Sequence, residues 1–304
     1  MLTYQLAEND IMDLPFLSIV IANYNYGHLL SASIESILSQ DCDDYEIIIV
    51  DGGSNDNSVE IIKKYEDKIA WWISEPDKGQ SNAFNKGFAH SKGKFLTWLN
   101  ADDILLPGTI SAVKKALQSH PEASWATGNM VRFLHDDGKI IAAPWGPKYL
   151  PAWLQGPGRI TVFFGPTTFW SRGAYEELGP IDESLHLAMD VDYWYRLDMS
   201  GHKQVRVNHP CWGFRMHGDS KTAEFGEHEK SDANKIRMQK EKEHIIRKNN
   251  YHPKKIWRFI GMFMRVLDGS IIHAFNNKKL IGTKIQDVFK LQYDILLNVK
   301  NTKK

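Results

Sequence analysis

The feature that most constrains this chain is an alternation in its first hundred residues. Short runs of apolar, largely β-branched residues give way to amphipathic segments, and each run ends in a polar cluster. Residues 17–22 (LSIVIA) read as a fully buried strand. Residues 28–40 follow, with Leu30, Ile34, Ile37 and Leu38 at helical spacing. Residues 46–50 (EIIIV) form a second strand, 58–65 a short helix and 70–74 (AWWIS) a third strand. A helix over 80–90 and a fourth strand over 94–99 (KFLTWL) complete the pattern. Strands that are apolar on both faces and separated by helices imply a mostly parallel central sheet flanked by helices, an α/β fold. Right-handed crossovers bring the strand C-terminal ends to one edge, where open α/β sheets bind ligands. The polar clusters at 23–25, 51–54, 75–80 and 100–103 all follow predicted strands, so they are expected to converge on one crevice.

Beyond Pro107 a helix runs to about Ser119, and the sequence then becomes less regular. Residues 144–158, rich in Pro, Gly and Trp, read as a loop beside the crevice; 181–200 look helical, and from Glu224 onward the chain looks mainly helical. A length of 304 residues allows one large α/β domain with appendages or two small domains. Lys+Arg and Asp+Glu are both 37, so bulk charge points to no nucleic-acid partner. The balance is uneven, however. From Tyr251 to Lys304 there are eleven Lys or Arg against three Asp and no Glu, a net of about +8, which can attract an anionic surface or simply decorate a solvated helix face. Cys42 and Cys211, isolated from each other, make neither a zinc site nor a disulfide framework and fit a reducing cytoplasm. The N-terminal stretch has no secretory-signal pattern, and no apolar run reaches the roughly 18 residues of a membrane span.

Several of the polar clusters carry carboxylates in need of partners. Leu99-Asn100-Ala101-Asp102-Asp103 sets two adjacent carboxylates at a strand end, where they repel unless something positive lies beside them. A divalent cation is a natural partner; oxygen ligands suit Mg2+ or Mn2+, which also bind substrate phosphates. A helix N-cap is the plainer alternative. In Asp51-Gly52-Gly53-Ser54 the glycines let backbone approach a ligand, and Asp51 could accept hydrogen bonds from a base or ribose, although a plain turn uses the same residue types. Asp190 and Asp192 lie two apart in a predicted helix, so only one of them should face the crevice. A single carboxylate there fits a general base, and the aromatic residues 193–195 favour partial burial and a raised pKa. His217 could ligate metal or contact a diphosphate, but one histidine among twelve says little alone. The chain lacks GxGxxG at its first strand–helix turn and lacks GxxxxGK[ST], which disfavours a dinucleotide-dependent dehydrogenase and a P-loop ATPase.

SIVIANYN (18–25), IIIVDGGSNDNS (47–58), EPDKGQSNAFNKG (75–87), LNADD (99–103), MDVDYWYRL (189–197) and FRMHGDS (214–220) occur in that order. Together they resemble family 2 glycosyltransferases of the GT-A fold over about residues 15–225, and the EPDKGQ, NKG and LNADD segments are typical of bacterial polysaccharide enzymes of that family. The resemblance implies a GT-A nucleotide-sugar glycosyltransferase domain over 1–225 and a basic helical extension over 226–304. It implies inverting transfer of a sugar from a nucleoside-diphosphate donor, a UDP-sugar favoured, to a saccharide or lipid-linked saccharide in cell-surface polysaccharide synthesis. Tyr24 then stacks on the nucleobase, with Ala22 and Asn25 beside it, and Asp51 and Gly52 hold the first two Asp positions of a nucleotide-binding V-D-D-G-S motif. Lys78, Gly79, Gln80, Asn100, Ala101 and Asp102 flank the donor; Asp102, Asp103 and His217 are the candidate ligands of Mn2+ or Mg2+; Asp190 is the catalytic base.

Three departures stand out. Gly52 replaces the second Asp of V-D-D-G-S, which helps read uracil in relatives; Asn100 replaces the first Asp of DxD; Met189 replaces the Glu of an E-D motif. Two other classes compete. A sugar nucleotidyltransferase would open with a Gly-rich, Arg- and Lys-containing loop, where this chain has Ala22-Asn23-Tyr24-Asn25. A catalytically silent nucleotide-sugar binder would not need Asp102, Asp103 and Asp190 together. In the tail, Ile256, Phe259/Ile260, Phe263/Met264, Leu267 and Ile271 make an apolar stripe with Lys254, Lys255, Arg258 and Arg265 around it. Such a helix could lie on an anionic membrane or pack on the catalytic domain or another subunit. The expected location is the cytoplasm, at the inner face of the plasma membrane.

Overall fold

In the computed structural model, which describes residues 14–146, 165–218, 230–249, 256–267 and 269–291, the first strand feeds two cores at once. β1 (Leu17–Asn23) directs Leu17, Ile19 and Ile21 into one apolar cluster and Val20 into another. Alternate residues of a strand point to opposite faces, so both faces of the sheet are covered, as its apolar runs require. α1 (Gly27–Leu38) closes the first core with Leu30, Ile34 and Ile37. β2 (Tyr45–Asp51) repeats the division, with Ile47 and Ile49 on one side and Ile48 on the other. After α2 (Ser58–Lys64) and β3 (Trp71–Ser74), α3 (Gln80–His90) closes the second core with Phe84 and Phe88. β4 (Phe95–Asn100) completes a parallel half-sheet in the order β3-β2-β1-β4. Its register sets Asn23 beside Asp51, Asp51 beside Ser74 and Ala22 beside Asn100, so the strand ends share one edge.

The second half of the sheet is mixed. It comprises β5 (Ile104–Leu105), β6 (Ala123–Leu134), β7 (Ile140–Ala142), β8 (Thr168–Ser171) and β9 (Lys203–Met216), with α4 (Thr109–Ser119), α5 (Arg172–Leu178) and α6 (Met189–Met199) between them. β8 pairs antiparallel with both β4 and β6, and β9 runs parallel to β6 and antiparallel to β5. The sheet order is β3-β2-β1-β4-β8-β6-β9-β5, with β7 on β6. The irregular stretch after Ser119 therefore hides two long strands. Their mutual register shifts around Asn129, opposite Pro210, and bulges of this kind are where a strand tolerates a residue without an N–H. At Gly128 the strands close up so far that a Cβ would lie 2.3 Å from Cys211 Sγ. The helix expected over 181–200 begins only at Met189. Before it, Asp182 Oδ1 accepts from the Ser184 N–H and hydroxyl and holds a turn that competes with helix.

The described part of the chain after residue 229 is mainly helical, as expected. α7 (Lys230–Lys248) buries Ile245 in the core that holds Trp98, Trp170 and Trp194. α8 (Ile256–Leu267), α9 (Ser270–Asn277) and α10 (Ile285–Phe289) follow. Residues 282–285 return to β7, where Gly282 N donates to Ile140 O and Ile140 N to Thr283 O, both at 2.8 Å. The boundary expected near 225, the loop over 144–158 beyond Gly146, the first 13 residues, Asp219–Ser220 and Lys254–Lys255 lie outside the described residues.

α3 crosses β1 at Gly87, where a Cβ would sit 2.2 Å from Val20 Cγ1. Gly87→Ala gains helix propensity of up to about 1 kcal/mol but overpacks a tight contact, which costs about 1–3 kcal/mol. We expect a lower urea midpoint; a midpoint equal to or above that of the wild type would show that the crossing has slack.

Candidate functional site

The four polar clusters meet in one cavity of about 950 Å3 at the parallel strand ends. Ala22, Tyr24 and Asn25 line it after β1, Gly52 and Gly53 after β2, Gly79 and Gln80 at the start of α3, and Asn100, Ala101 and Asp102 after β4. Asp190, from the first turn of α6, lines the same cavity. Asp51, Asp103, Lys78 and His217 do not share that surface.

Asp51, expected to meet a base or ribose, is fully buried and spends its carboxylate on the loop itself. Asn23 Nδ2 donates to Oδ1 at 2.6 Å, as does the Ser54 hydroxyl; Ser54 N donates to Oδ2 at 2.9 Å and the Ser74 hydroxyl at 2.6 Å. One carboxylate thereby ties the ends of β1, β2 and β3, with both oxygens satisfied by charge-assisted bonds. Its turn geometry leaves Gly52 on the cavity wall, and a Cβ there would lie 2.7 Å from Asp77 Oδ2 and 3.3 Å from Tyr24 Cδ2. The missing side chain at 52 is the space that the Asp77 carboxylate occupies. Lys78 is exposed and borders a smaller depression with Glu183 and His186.

The pair Asp102-Asp103 splits by face. Asp103 is fully buried; its Oδ1 accepts from Arg215 N at 3.0 Å and its Oδ2 from Asn100 Nδ2 at 2.8 Å. Burial, and then the charge of Asp102, push its pKa well above the usual aspartate range. Its carboxylate does not line the cavity and braces the β4 turn against β9. Gln80 Nε2 completes the brace by donating to Asn100 Oδ1 at 2.7 Å. Asp102 stays at the cavity and meets His217, with Nε2 and Oδ2 3.0 Å apart. Arg215 Nε holds the Asp102 carbonyl at 2.7 Å, and the Tyr26 ring sits edge-on to His217 at 5.5 Å. Among the described residues no three His, Cys, Asp or Glu side chains converge as a metal cluster. Asp102 and His217 offer two donors side by side, which suits a cation that takes its remaining ligands from water and phosphate oxygens.

Asp190 and Asp192 also split, as their spacing predicted. Asp192 is fully buried and paired with Arg196 at 3.0 Å. Asp190 takes the cavity side, and burial among apolar neighbours raises its pKa above the ordinary value, against the opposing pull of the Val191 N–H. Beneath it, Trp194 stacks on Trp98 at 4.7 Å and 16°, and Trp170 packs edge-on to both. Trp98 precedes Asn100 on β4, so one aromatic cluster carries the supports of both Asp102 and Asp190.

On the cavity wall, Asn23 and Asp77 belong to clusters that the sequence placed in the crevice without giving these two a role of their own, and His186, Leu187 and Met238 were passed over. Asp77 lay inside the quoted EPDKGQ segment; Met238 comes from α7, where no motif marks it.

A family model described as glycosyl transferase family 2 matches residues 18–179. An uncharacterized glycosyltransferase of Nostoc sp. is 40% identical over 107 residues, covering 34% of this chain and 33% of that protein. The chondroitin synthase of Pasteurella multocida is 28% identical over 217 residues, 70% of this chain but 22% of the synthase. The chain thus spans about a third or less of these relatives' length. Among solved structures, S. aureus TarS aligns with a TM-score of 0.54 at 16% identity, covering 66% of this chain and 60% of that one. The mannosyltransferase PcManGT from Pyrobaculum calidifontis, solved with GDP-Man and Mn2+, aligns with a TM-score of 0.54 at 18% identity over 70% of this chain and 60% of that one. At such identities the structural likeness speaks for the fold, and the family match covers just over half of the 304 residues. The chain belongs to glycosyl transferase family 2 and has the GT-A fold.

Proposed function

We propose that the protein is an inverting glycosyltransferase that moves a sugar from a nucleoside-diphosphate donor to a hydroxyl of a saccharide or lipid-linked saccharide, in the synthesis of a cell-surface polysaccharide. The observation that carries this reading is that Asp102 and Asp190, from consecutive motifs far apart in sequence, line one cavity. Tyr24, 60% exposed, offers a ring face to the nucleobase. Asp77, beside it, offers an acceptor to a base N–H, as uracil and guanine both present; TarS has been solved with UDP-GlcNAc and PcManGT with GDP-Man. A UDP-sugar is the favoured donor.

Asp102 and His217 are the residues that would hold Mn2+ or Mg2+, which when bound supplies positive charge to the departing diphosphate. Gly52 and Gly53 leave room for the loop of Pro76 and Asp77 to close on the strand ends, which brings the Asp77 carboxylate to the cavity wall. Asp190 accepts the proton of the acceptor hydroxyl while that oxygen bonds the anomeric carbon and the bond to the diphosphate breaks. One displacement inverts the centre. A base must be ionised, so the rate rises with pH through the Asp190 pKa, which burial raises above that of an exposed aspartate. We expect Asp190→Asn to lower kcat by about a hundredfold or more and to abolish this acid limb, with nucleotide affinity within about twofold by calorimetry. Asp102→Asn should instead weaken Mn2+-dependent nucleotide binding by about tenfold. Near-full turnover in the first variant removes Asp190 from the mechanism, and unchanged binding in the second removes Asp102 from the cation.

A lipid-linked acceptor would be met at a bilayer. Among the described residues no helix is long and apolar enough to cross one. α8 instead exposes Phe259, Phe263, Val266 and Leu267 along one stripe, in the tail whose net charge is about +8. The protein is proposed to rest by this helix on the cytoplasmic face of the plasma membrane. Flotation with vesicles rich in phosphatidylglycerol should recover the wild type, and recovery should drop at least fivefold with Phe259→Ser and Phe263→Ser together. Equal recovery of the two proteins would rule out this contact.

A further inference from the structure

Three consecutive backbone N–H groups at the entrance to α6 converge on one carboxylate from far along the chain. His186 N donates to Glu241 Oε1 at 3.1 Å, and Leu187 N and Ala188 N donate to Oε2 at 2.8 and 2.9 Å. Glu241 lies within α7 and is only 8% exposed. Arg237, one turn earlier, reaches Oε1 at 3.1 Å from a half-exposed position. Burial alone would raise the Glu241 pKa, but the bonds from Leu187, Ala188, His186 and Arg237 outweigh it and hold the pKa below the usual glutamate value. The carboxylate is therefore ionised at neutral pH, and its stabilising effect is lost only as pH falls through that lowered value.

The position of this contact gives it a function. Ala188 is the N-cap residue of α6 and has no side chain able to cap. Glu241, from another helix, accepts instead from the Ala188 N–H and the two N–H groups before it, next to the positive end of the α6 dipole. His186, Leu187, Met189 and Asp190 all line the cavity, so the segment that Glu241 holds is the cavity wall that carries the proposed base. α7 does not depend on Glu241 for its docking. Ile245 is buried in the aromatic core, and Lys248 reaches Asp182 at 2.7 Å and Asp192 at 3.5 Å.

We propose that Glu241 is a positioning residue: it fixes the backbone of 186–188, and through it the place of Asp190, which makes α7 part of the catalytic unit although it lies outside the matched family segment. This rests on the reading of Asp190 as the base. The test uses the full chain with Glu241→Gln, which is isosteric but turns an amide N–H2 toward backbone donors, and Arg237→Ala, which leaves the three backbone bonds in place. Hydrogen exchange is read by mass spectrometry on peptides covering 186–192, 17–25 and 95–103. UDP and GDP affinity with Mn2+ is read by calorimetry, and turnover as nucleoside diphosphate released from UDP-N-acetylglucosamine or GDP-mannose. In Glu241→Gln, exchange over 186–192 should rise at least tenfold and stay unchanged in the other two peptides. kcat should fall by about tenfold to a hundredfold, with nucleotide affinity within twofold. Arg237→Ala should match the wild type within twofold on every readout. Unchanged exchange, unchanged turnover despite faster exchange, or a parallel loss of nucleotide binding or of fold would each overturn the proposal. Asp190→Asn, measured alongside, separates the two readings: if it retains turnover, the base assignment fails while the exchange data still report on the Glu241 anchor.

Discussion

The stacked pair Trp98 and Trp194 is the contact on which the site geometry rests. It joins β4, which ends at Asn100 just before Asp102, to α6, which begins at Met189 and Asp190. Trp170 from β8 and Phe84 and Phe88 from α3 fill in around it, so strand, crossover helix and base-bearing helix share one packed unit. Large rings pack at high density and leave few alternative arrangements. Two carboxylates that are far apart in sequence are thereby brought to one cavity by apolar packing, and the hydrogen bonds around Asp103 and Glu241 then set their local backbone.

The aspartates of the motifs divide into those that shape the site and those that face it. Asp51, Asp103 and Asp192 are fully buried, and each is matched to donors: a loop amide and hydroxyls, the Arg215 N–H, the Arg196 guanidinium. A buried carboxylate without such partners would cost several kcal/mol by desolvation. Asp102 and Asp190 sit beside or near these inward residues and take the opposite face. Each outward carboxylate thus has an inward neighbour that fixes the backbone beneath it.

The first half of the fold was legible because its strands are uninterrupted apolar runs and its helices begin after short polar turns rich in Asn, Asp and Gly. The second half was not. β6 and β9 contain Gly128, Asn129 and Pro210, residues that usually mark loops, and they form strands here because a bulge absorbs the Pro and a close approach needs the Gly. Within the site, the spacing of Asp190 and Asp192 correctly foretold that only one would face the cavity. Adjacency in Asp102-Asp103 carried no such information, since a turn, not a helix period, decides which of the two points inward. Asp51 looked like a ligand contact because its role in tying three strand ends together depends on Asn23 and Ser74, which are remote in sequence. Met238 and Glu241 had no local signature at all; their relevance comes from where α7 docks.

The return of residues 282–285 to β7 has a mechanical consequence. With α7 seated against α6 on one side and the bridge between Lys139 and Lys284 on the other, α8 and α9 lie in a stretch of chain whose two flanks both return to the sheet domain. A helix tethered at both ends cannot swing away as a free tail would. Whatever surface meets Phe259 and Phe263 is therefore kept within reach of the domain that holds the cavity.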